Sequence, residues 1–321
     1  MRALKPHLFP ICLGILFSIA MIISFWPRTV FKATSVASIY NEAEEWRAPE
    51  ESSIPYNEEG DKIRYGKELI SHTAFYLGRQ GSIAALTNGM NCQNCHLYAG
   101  TQNFSNPFSA VASTYPRFRE RSGRTESVEF RVNECMQRSL NGRPLDTASK
   151  EMQAMVAYIK WIGSNVPKNV KPKGAATEEL PVLDRAADTA RGKIVYETKC
   201  QRCHNNSGEG IWSAKDAQYI YPPLWGEHSF NASAGIFRLS RMAGFVKDNM
   251  PFGATQKNPI LSNEEAWDVA AYIVSQPRSQ KKFAYDWPVI ASKPFDYPFG
   301  PFADSFSEKQ HKYGPFGVIK K

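Results

Sequence analysis

The pattern C-x-x-C-H occurs twice in this chain, and it restricts the fold more than any other feature of the sequence. The first copy consists of Cys92, Cys95 and His96, and the second consists of Cys200, Cys203 and His204. Two thiols at this spacing lie on one helical turn and reach the two vinyl groups of a haem, and the next residue turns its imidazole toward the iron. One C-x-x-C alone could bind zinc or act as a redox pair. Two copies, both with the histidine, predict two covalently bound haem c groups, with His96 and His204 as iron ligands.

The residues ahead of the second motif predict a helix that packs closely against another. Gly192, Tyr196 and Cys200 are spaced by four, which places them nearly on one face of a helix. A glycine and an aromatic residue at this spacing resemble the N-terminal helix of class I cytochromes c. In that fold, the glycine lets a later helix cross at short range.

A candidate for the later helix is present in each half of the chain. In the second half, Ser262 and Glu265 form a capping box and Pro277 ends the helical pattern. In the first half, SKEMQAMVAYIKWIGSNVP carries apolar residues at helical spacing, and its MVAYI repeats the VAAYI of the second half. The predicted fold is therefore all-α, with two class I cytochrome c-like domains joined by a linker and followed by an irregular C-terminal tail.

Composition suggests where these domains begin and end. Residues 167–184 are rich in Pro, Lys and Glu and have no periodicity, which is typical of a linker. We expect the first cytochrome c domain over residues 60–166 and the second over 185–280. The tail, residues 281–321, is rich in Pro, Phe and Tyr, and we expect it to pack on the body without regular structure.

The first 37 residues predict an export signal or an N-terminal membrane anchor. Arg2 and Lys5 precede an apolar run over residues 8–26, which is barely long enough to span a bilayer. A small-residue cleavage site at 35–37 lies far beyond that run, so cleavage and anchoring both stay open. Either one predicts a periplasmic body, soluble after cleavage or anchored to the inner membrane by residues 8–26.

The charge of the chain argues against nucleic acid as a partner. The formal net charge is +8, but residues 1–37 hold four basic and no acidic residues, which leaves +4 for the remainder. The remainder has no block of Lys and Arg and no basic stripe interleaved with aromatic residues, as a nucleic-acid groove needs.

Cys135 is the one cysteine beyond residue 37 that belongs to neither motif. It follows His96 by 39 residues, where a distal ligand for the first iron could be supplied, and it has no thiol partner outside the export segment. His72 and Met136 are further candidates for that position. A buried free cysteine with no role in ligation is the remaining alternative.

For the second iron, Met250 is the favoured distal ligand. It begins the sequence MPFG, 46 residues after His204, whereas its rival Met242 lies in an apolar segment typical of a helix core. A thioether ligand favours the ferrous state and raises the potential, which suits this haem to storing and releasing electrons.

Several long motifs make the sequence similar to the dihaem thiosulfate dehydrogenases. Between about residue 66 and residue 277 these are NGMNCQNCHLYAGT, RVNECMQRSLNGRPL, EMQAMVAYIKW, PPLWGEHSFN, NMPFG and EAWDVAAYI. The resemblance implies an oxidoreductase that oxidises two thiosulfate to tetrathionate at a His/Cys-ligated haem and passes electrons through a His/Met haem to an acceptor. A non-catalytic dihaem electron-transfer cytochrome c and a tetrathionate reductase are the alternatives.

The resemblance also implies roles for individual residues. Cys135 becomes the distal ligand of the first, catalytic haem and Met250 that of the second, while Arg121, Arg131 and Ser139 are implied at the thiosulfate site. Guanidinium groups suit that site because they bind oxyanions and offset the repulsion between two dianions. Whether the Cys135 sulfur is a ligand alone or also a nucleophile stays open. Some relatives have Lys where this chain has Asn249, so a nitrogen-to-sulfur ligand switch at the second haem is less expected.

The implied partners are thiosulfate or tetrathionate and a redox acceptor, either a small cytochrome c or another periplasmic electron carrier. The direction of the reaction depends on the haem potentials, which motif spacing does not encode. The identity of the acceptor and the oligomeric state also stay open at this point.

Overall fold

The computed structural model of the protein describes residues 45–320. The predicted export signal or anchor within residues 1–37 lies outside this range. Within it, the model contains no helix with the length and apolar character that a bilayer crossing requires.

The described chain is mainly helical. Its helices are α1 (Glu58–Ser71), α2 (Thr73–Leu77), α3 (Val111–Thr114), α4 (Val128–Arg138), α5 (Lys150–Ile162), α6 (Thr189–Lys199), α7 (Gln201–His204), α8 (Leu239–Asn249), α9 (Asn263–Ser275) and α10 (Glu308–Tyr313). Short 3-10 turns are formed by Glu51–Ser53, Cys92–Asn94, Gly235–Phe237 and Ile290–Ser292. The helical assignment at Leu97–Gly100 is a kinked turn, since Tyr98 and Ala99 have positive φ. The broad prediction of a helical fold is confirmed.

Two short antiparallel hairpins interrupt the helices. One consists of β1 (Arg117–Arg119) and β2 (Arg124–Glu126), with Phe118 opposite Thr125. The other consists of β3 (Ile211–Ser213) and β4 (Gln218–Tyr221), with Trp212 opposite Tyr219. The hairpins add strands that the all-α prediction did not include, and the first of them carries residues of the candidate active site.

The capping box predicted from the sequence at Ser262 and Glu265 is present in the structure. The Ser262 hydroxyl accepts a hydrogen bond from the Glu265 N–H at 3.1 Å, and the Glu265 carboxylate accepts one from the Ser262 N–H at 2.9 Å. This capping box starts α9, which ends at Ser275, two residues before Pro277. The prediction for this helix is therefore confirmed.

Two glycines allow the main helices to cross at short range. A Cβ atom at Gly192 in α6 would lie 1.9 Å from the carbonyl oxygen of Asp268 in α9, so the close crossing predicted there is present. A Cβ atom at Gly66 in α1 would lie 2.0 Å from the carbonyl oxygen of Ala154 in α5. The same crossing thus occurs in both halves. Any larger residue at these positions would force the helices apart.

Each half of the described chain has its own hydrophobic core. The first core includes Leu69, Leu77, Met136, Met152 and Met155, and the second includes Tyr196, Leu239, Met242, Trp267 and Phe316. Met152, Met155 and Met242 are all buried among apolar neighbours, as the helical pattern of the sequence predicts.

The segment predicted as a linker, 167–184, contains no helix or strand, although Leu180 packs into the second core. The tail beyond residue 280 is largely irregular and packs on both halves. The prediction of a wholly irregular tail is wrong at α10, which begins because the Ser307 hydroxyl accepts a hydrogen bond from the Gln310 N–H. It ends at Tyr313, and the next residue, Gly314, has a φ of +83°. The Ser-x-x-Gln pattern that caps this helix was visible in the sequence.

Candidate haem sites and active site

A single turn of backbone holds the two thiols and the imidazole of the first motif, Cys92, Cys95 and His96, close together. The His96 N–H donates to the Cys92 carbonyl at 3.1 Å, and the Cys92 N–H donates to the Thr73 hydroxyl at 3.0 Å. Burial raises the pKa of Cys92 and of Cys95 to about 12, so both are neutral thiols in an apolar setting. The hydrogen bond from the Cys92 N–H therefore links the attachment motif to Thr73, the first residue of α2.

The His96 ring is held in the form that an iron ligand requires. Its Nδ1 lies 2.5 Å from the Asn106 carbonyl oxygen, which can only accept, so Nδ1 carries the proton and Nε2 keeps its lone pair. Burial lowers the pKa of His96 to about 4, and the ring packs against Phe108 with centroids 4.6 Å apart and planes tilted by 31°. A hydrogen bond of this kind fixes the orientation of a metal-bound histidine.

The second motif repeats the arrangement with different partners. The His204 N–H donates to the Cys200 carbonyl at 3.1 Å, and His204 Nδ1 donates to the Pro222 carbonyl at 2.8 Å. Burial lowers the pKa of His204 and raises that of Cys200 to about 11. Each motif therefore presents two cysteine thiols and one imidazole held by a carbonyl hydrogen bond, and this set of groups fits a covalently attached haem c.

Helix α4 brings Cys135 to the first motif. Burial is the main reason for the raised pKa of Cys92 and of Cys95, and the negative charge of a Cys135 thiolate adds to the rise in both. The other candidates for this position lie elsewhere. His72 is exposed, 3.9 Å from the Glu68 carboxylate, and Met136 is 1% exposed within the first core.

Arg131 lies one helical turn before Cys135, and the two interact strongly. The Cys135 thiolate raises the pKa of Arg131, although burial opposes the rise. Ser139 lies one turn beyond Cys135 and its N–H donates to the Cys135 carbonyl. The structure therefore places three of the site residues expected from the sequence along α4, with Arg131 and Cys135 in the helix and Ser139 directly after it.

Arg121 lies in a different environment. Its guanidinium donates to the Asp286 carboxylate at 2.8 Å and to the Ser233 carbonyl at 2.8 Å. Asp286 also receives two hydrogen bonds of 2.8 Å from Arg138, whose guanidinium is paired with Glu134. Through Asp286, the tail thus links Arg121 to a largely buried ion network beside α4.

Arg119 and Tyr115 complete a group that sequence reasoning did not assign to the site. Burial lowers the pKa of Arg119, and the charge of Arg131 lowers it further. Burial raises the pKa of Tyr115, while Arg131 and Arg119 oppose the rise. Within residues 45–320, neither Arg119 nor Arg131 donates a hydrogen bond to a carboxylate, although the charge of Glu126 raises the pKa of both. Two half-buried guanidinium groups thus lie near a tyrosine and a cysteine sulfur, an arrangement that favours an anion.

Met250 directly follows the last residue of α8 and is half-buried. Its side chain packs against the second core, as does that of Cys200. Met242 is 3% exposed inside that core. The role of Met250 as the distal ligand stays a prediction, and the two methionines offer a matched pair for testing it.

Two family models match this chain. The model described as SoxA/TsdA, cytochrome c domain, covers residues 83–167, and the model described as Cytochrome c covers residues 189–277. The described chain therefore contains two cytochrome c domains, each with one attachment motif.

Curated proteins and a solved structure are similar over most of the chain. The thiosulfate dehydrogenase of Psychrobacter arcticus is 36% identical over 256 residues, which cover 79% of this chain and 72% of that protein. The thiosulfate dehydrogenase of Allochromatium vinosum is 36% identical over 234 residues, covering 72% of this chain and 83% of that protein. The structure of thiosulfate dehydrogenase (TsdBA) from Marichromatium purpuratum in its as-isolated form matches with a TM-score of 0.66 and 29% identity. That match covers 72% of this chain and 49% of the other, so this chain spans about half its length.

Proposed function

Because the chain belongs to the thiosulfate dehydrogenase family, we propose that it is an oxidoreductase that joins two thiosulfate anions into tetrathionate. One observation carries this proposal. Cys135 borders the first attachment motif, and the arginine pair of Arg119 and Arg131 lies close by. The reaction forms one sulfur–sulfur bond and releases two electrons, with no proton taken up or lost. A redox acceptor must remove those electrons, one from each thiosulfate.

The arginine pair provides what two approaching dianions need. Two like charges a few ångströms apart repel strongly in a partly buried site, and fixed cations offset this repulsion. The charge of Arg131 acts unfavourably on Arg119, so an anion between the two offsets this repulsion. We assign the sulfonate oxygens of thiosulfate to these guanidinium groups, with the Tyr115 and Ser139 hydroxyls as further donors. Arg121, already neutralised by Asp286, has a smaller share in binding.

Cys135 supplies the sulfur of the site. Its sulfur can act as a ligand, as a nucleophile toward the outer sulfur of thiosulfate, or as both. His96 Nε2 and Cys135 Sγ would hold the first iron, and His204 Nε2 and Met250 Sδ the second. When bound, the first haem supplies a one-electron acceptor beside the substrate, and the second supplies a higher-potential exit for the electrons.

The remaining assignments extend the proposal. Both cytochrome c domains are proposed to be of class I type, over residues 60–166 and 185–280. We propose a small cytochrome c or another periplasmic carrier as the acceptor. The apolar run at residues 8–26 supports export to the periplasm, with or without anchoring to the inner membrane.

Steady-state assays in both directions test the proposed reaction. The purified holoprotein is mixed with thiosulfate and ferricyanide, and separately with tetrathionate and a reduced dye. We expect rapid ferricyanide reduction in the first assay and a slower reaction in the second. A faster second reaction would make the protein a tetrathionate reductase. A protein inactive in both assays would be an electron carrier without chemistry of its own.

Replacing Arg119 tests the arginine pair. Arg119→Gln should lower kcat/KM for thiosulfate by roughly 10- to 100-fold, because it removes a charge-assisted hydrogen bond to the substrate. The visible spectrum should not change, since Arg119 is not proposed to ligate either iron. Steady-state kinetics at several thiosulfate concentrations measure the effect.

Arg117→Gln is the matched control. Arg117 lies on the same strand, β1, and loses the same charge, but its side chain is exposed. We expect its kcat/KM to stay within about twofold of the wild-type value, in line with the small effect of most exposed charges. Equal losses in the two variants would show that general attraction, and not a specific contact, accounts for the effect of Arg119.

A further inference from the structure

Asn249 connects the two haem sites through a set of buried hydrogen bonds. This residue ends α8 and is 5% exposed. Its Nδ2 group donates to the Phe104 carbonyl at 3.2 Å and to the Phe245 carbonyl at 2.9 Å, and its Oδ1 accepts from Gln102 Nε2 at 2.9 Å. Both amide hydrogens and the amide oxygen are therefore engaged. Phe245 lies on α8 itself, whereas Gln102 and Phe104 belong to the first cytochrome c domain.

The loop that Asn249 contacts is the one that orients the first haem ligand. Residues 97–106 run from the turn after His96 to Asn106, whose carbonyl accepts the hydrogen bond from His96 Nδ1. Phe104 is buried, and its N–H donates to the Gly174 carbonyl at 2.7 Å. Leu97, at the start of the loop, packs against the second core. The position of the Asn106 carbonyl thus depends on contacts with the other domain.

On its other side, Asn249 is bonded directly to Met250. Three hydrogen bonds fix the Asn249 side chain, and they fix the backbone from which the Met250 side chain extends. One residue therefore touches the support of the His96 imidazole and the support of the Met250 thioether. Within the described residues this is a short, fully bonded route from one proposed iron ligand to the other.

We propose that Asn249 is a positioning residue that holds the His96 loop and the Met250 side chain in one arrangement and so sets the reduction potentials of both haems together. This inference rests on the iron ligands of the proposed function. The hydrogen bond to His96 Nδ1 controls the basicity of the imidazole as a ligand, and the placement of Met250 controls the strength of its bond to iron. Loosening the shared contact changes both quantities at once.

Asn249→Ala in the holoprotein tests this inference. We expect the midpoint potentials of both haems to shift in a spectroelectrochemical titration, and the spectral band of the thioether-ligated ferric haem to weaken. Asn258→Ala, in an exposed turn of the same domain, is the control and should leave both potentials and the band unchanged. A shift in one potential alone, or in neither, with full haem content overturns the inference.

Gln102→Ala keeps the test decisive if Asn249→Ala does not fold. It removes a single hydrogen bond to Asn249 from a half-buried position, and we expect a smaller shift of both potentials in the same directions. Unchanged potentials in this variant count against the inference.

None of these measurements needs thiosulfate. A paired shift in a protein that oxidises no thiosulfate upholds the role of Asn249 while the proposed function fails, and an active protein with unshifted potentials overturns the role of Asn249 alone.

Discussion

Cys135→Gly is expected to abolish thiosulfate oxidation while both haems stay covalently bound. Attachment uses the four cysteines of the two C-x-x-C-H motifs, and Cys135 belongs to neither. Its sulfur is the group proposed to meet the substrate, so kcat should fall by roughly 10³-fold or more, as when an essential nucleophile is removed. The haem content after denaturation measures covalent attachment. Steady-state ferricyanide reduction measures turnover.

A second variant separates lost chemistry from lost stability. Cys135 lies inside α4, where glycine costs about 1 kcal/mol relative to alanine. Cys135→Ala removes the same sulfur and preserves the helix, and we expect it to be as inactive as Cys135→Gly. If either variant keeps near wild-type turnover, the assignment of Cys135 to the active site is wrong.

Met250→Leu should slow electron transfer to the acceptor and leave the thiosulfate site intact. The second iron loses its thioether, so its potential should fall and the spectral band of the His/Met haem should disappear. A fall of about 59 mV in a one-electron couple is a tenfold change in its equilibrium constant. We therefore expect reduction of the acceptor to slow on the order of tenfold or more. Stopped-flow mixing with thiosulfate should still reduce the first haem.

Met242→Leu is the matched control for this experiment, because it makes the same substitution seven positions before the end of α8. Met242 is 3% exposed in the second core, and leucine is close to it in volume, so the fold should tolerate the change. Its spectrum and acceptor kinetics should match those of the wild type. Loss of the band in Met242→Leu and not in Met250→Leu would transfer the ligand to Met242. Retention in both variants would rule out either methionine as the ligand.

The features of the fold that depend on residues close together in the sequence could be predicted. The C-x-x-C-H motifs, the Ser262–Glu265 capping box and the small residue at Gly192 each act through neighbours within one or two helical turns, or through one helix crossing. Gly66 makes an equivalent crossing in the first domain, but the sequence around it lacks the matching aromatic spacing. Its role depends on the packing of α1 against α5, which no local pattern specifies.

The hairpin before α4 explains why the arginines were harder to place. Arg117, Arg119 and Arg121 alternate in the sequence, but β1 ends at Arg119 and the chain turns there. Arg119 therefore lies near Arg131, whereas Arg121 points to Asp286, 165 residues later in the tail. No local pattern encodes a partner at that separation. Three-residue strands rich in charge also lack the alternation that identifies a β-strand in a sequence.

The contact between the two domains could not be predicted from the sequence either. Asn249 precedes the expected distal ligand Met250, but its partners Gln102 and Phe104 lie about 145 residues earlier in the chain. Hydrogen bonds to backbone carbonyls leave no signature in the sequence of the acceptor. The contacts of the tail could not be predicted either, because the tail has no repeating pattern. Asp286 pairs with Arg121 of the first domain, whereas Phe316 packs in the second core.

The sulfur products formed per electron test the coupling of two thiosulfate anions most directly. The holoprotein is incubated without oxygen with excess thiosulfate and limiting ferricyanide, and all sulfur species are quantified when the reduction is complete. Forming one sulfur–sulfur bond releases two electrons and adds no oxygen atom. We predict one tetrathionate for every two ferricyanide reduced, with no sulfite or sulfate. Ferricyanide reduction that yields sulfite or sulfate, or no reduction at all, would contradict the proposed reaction.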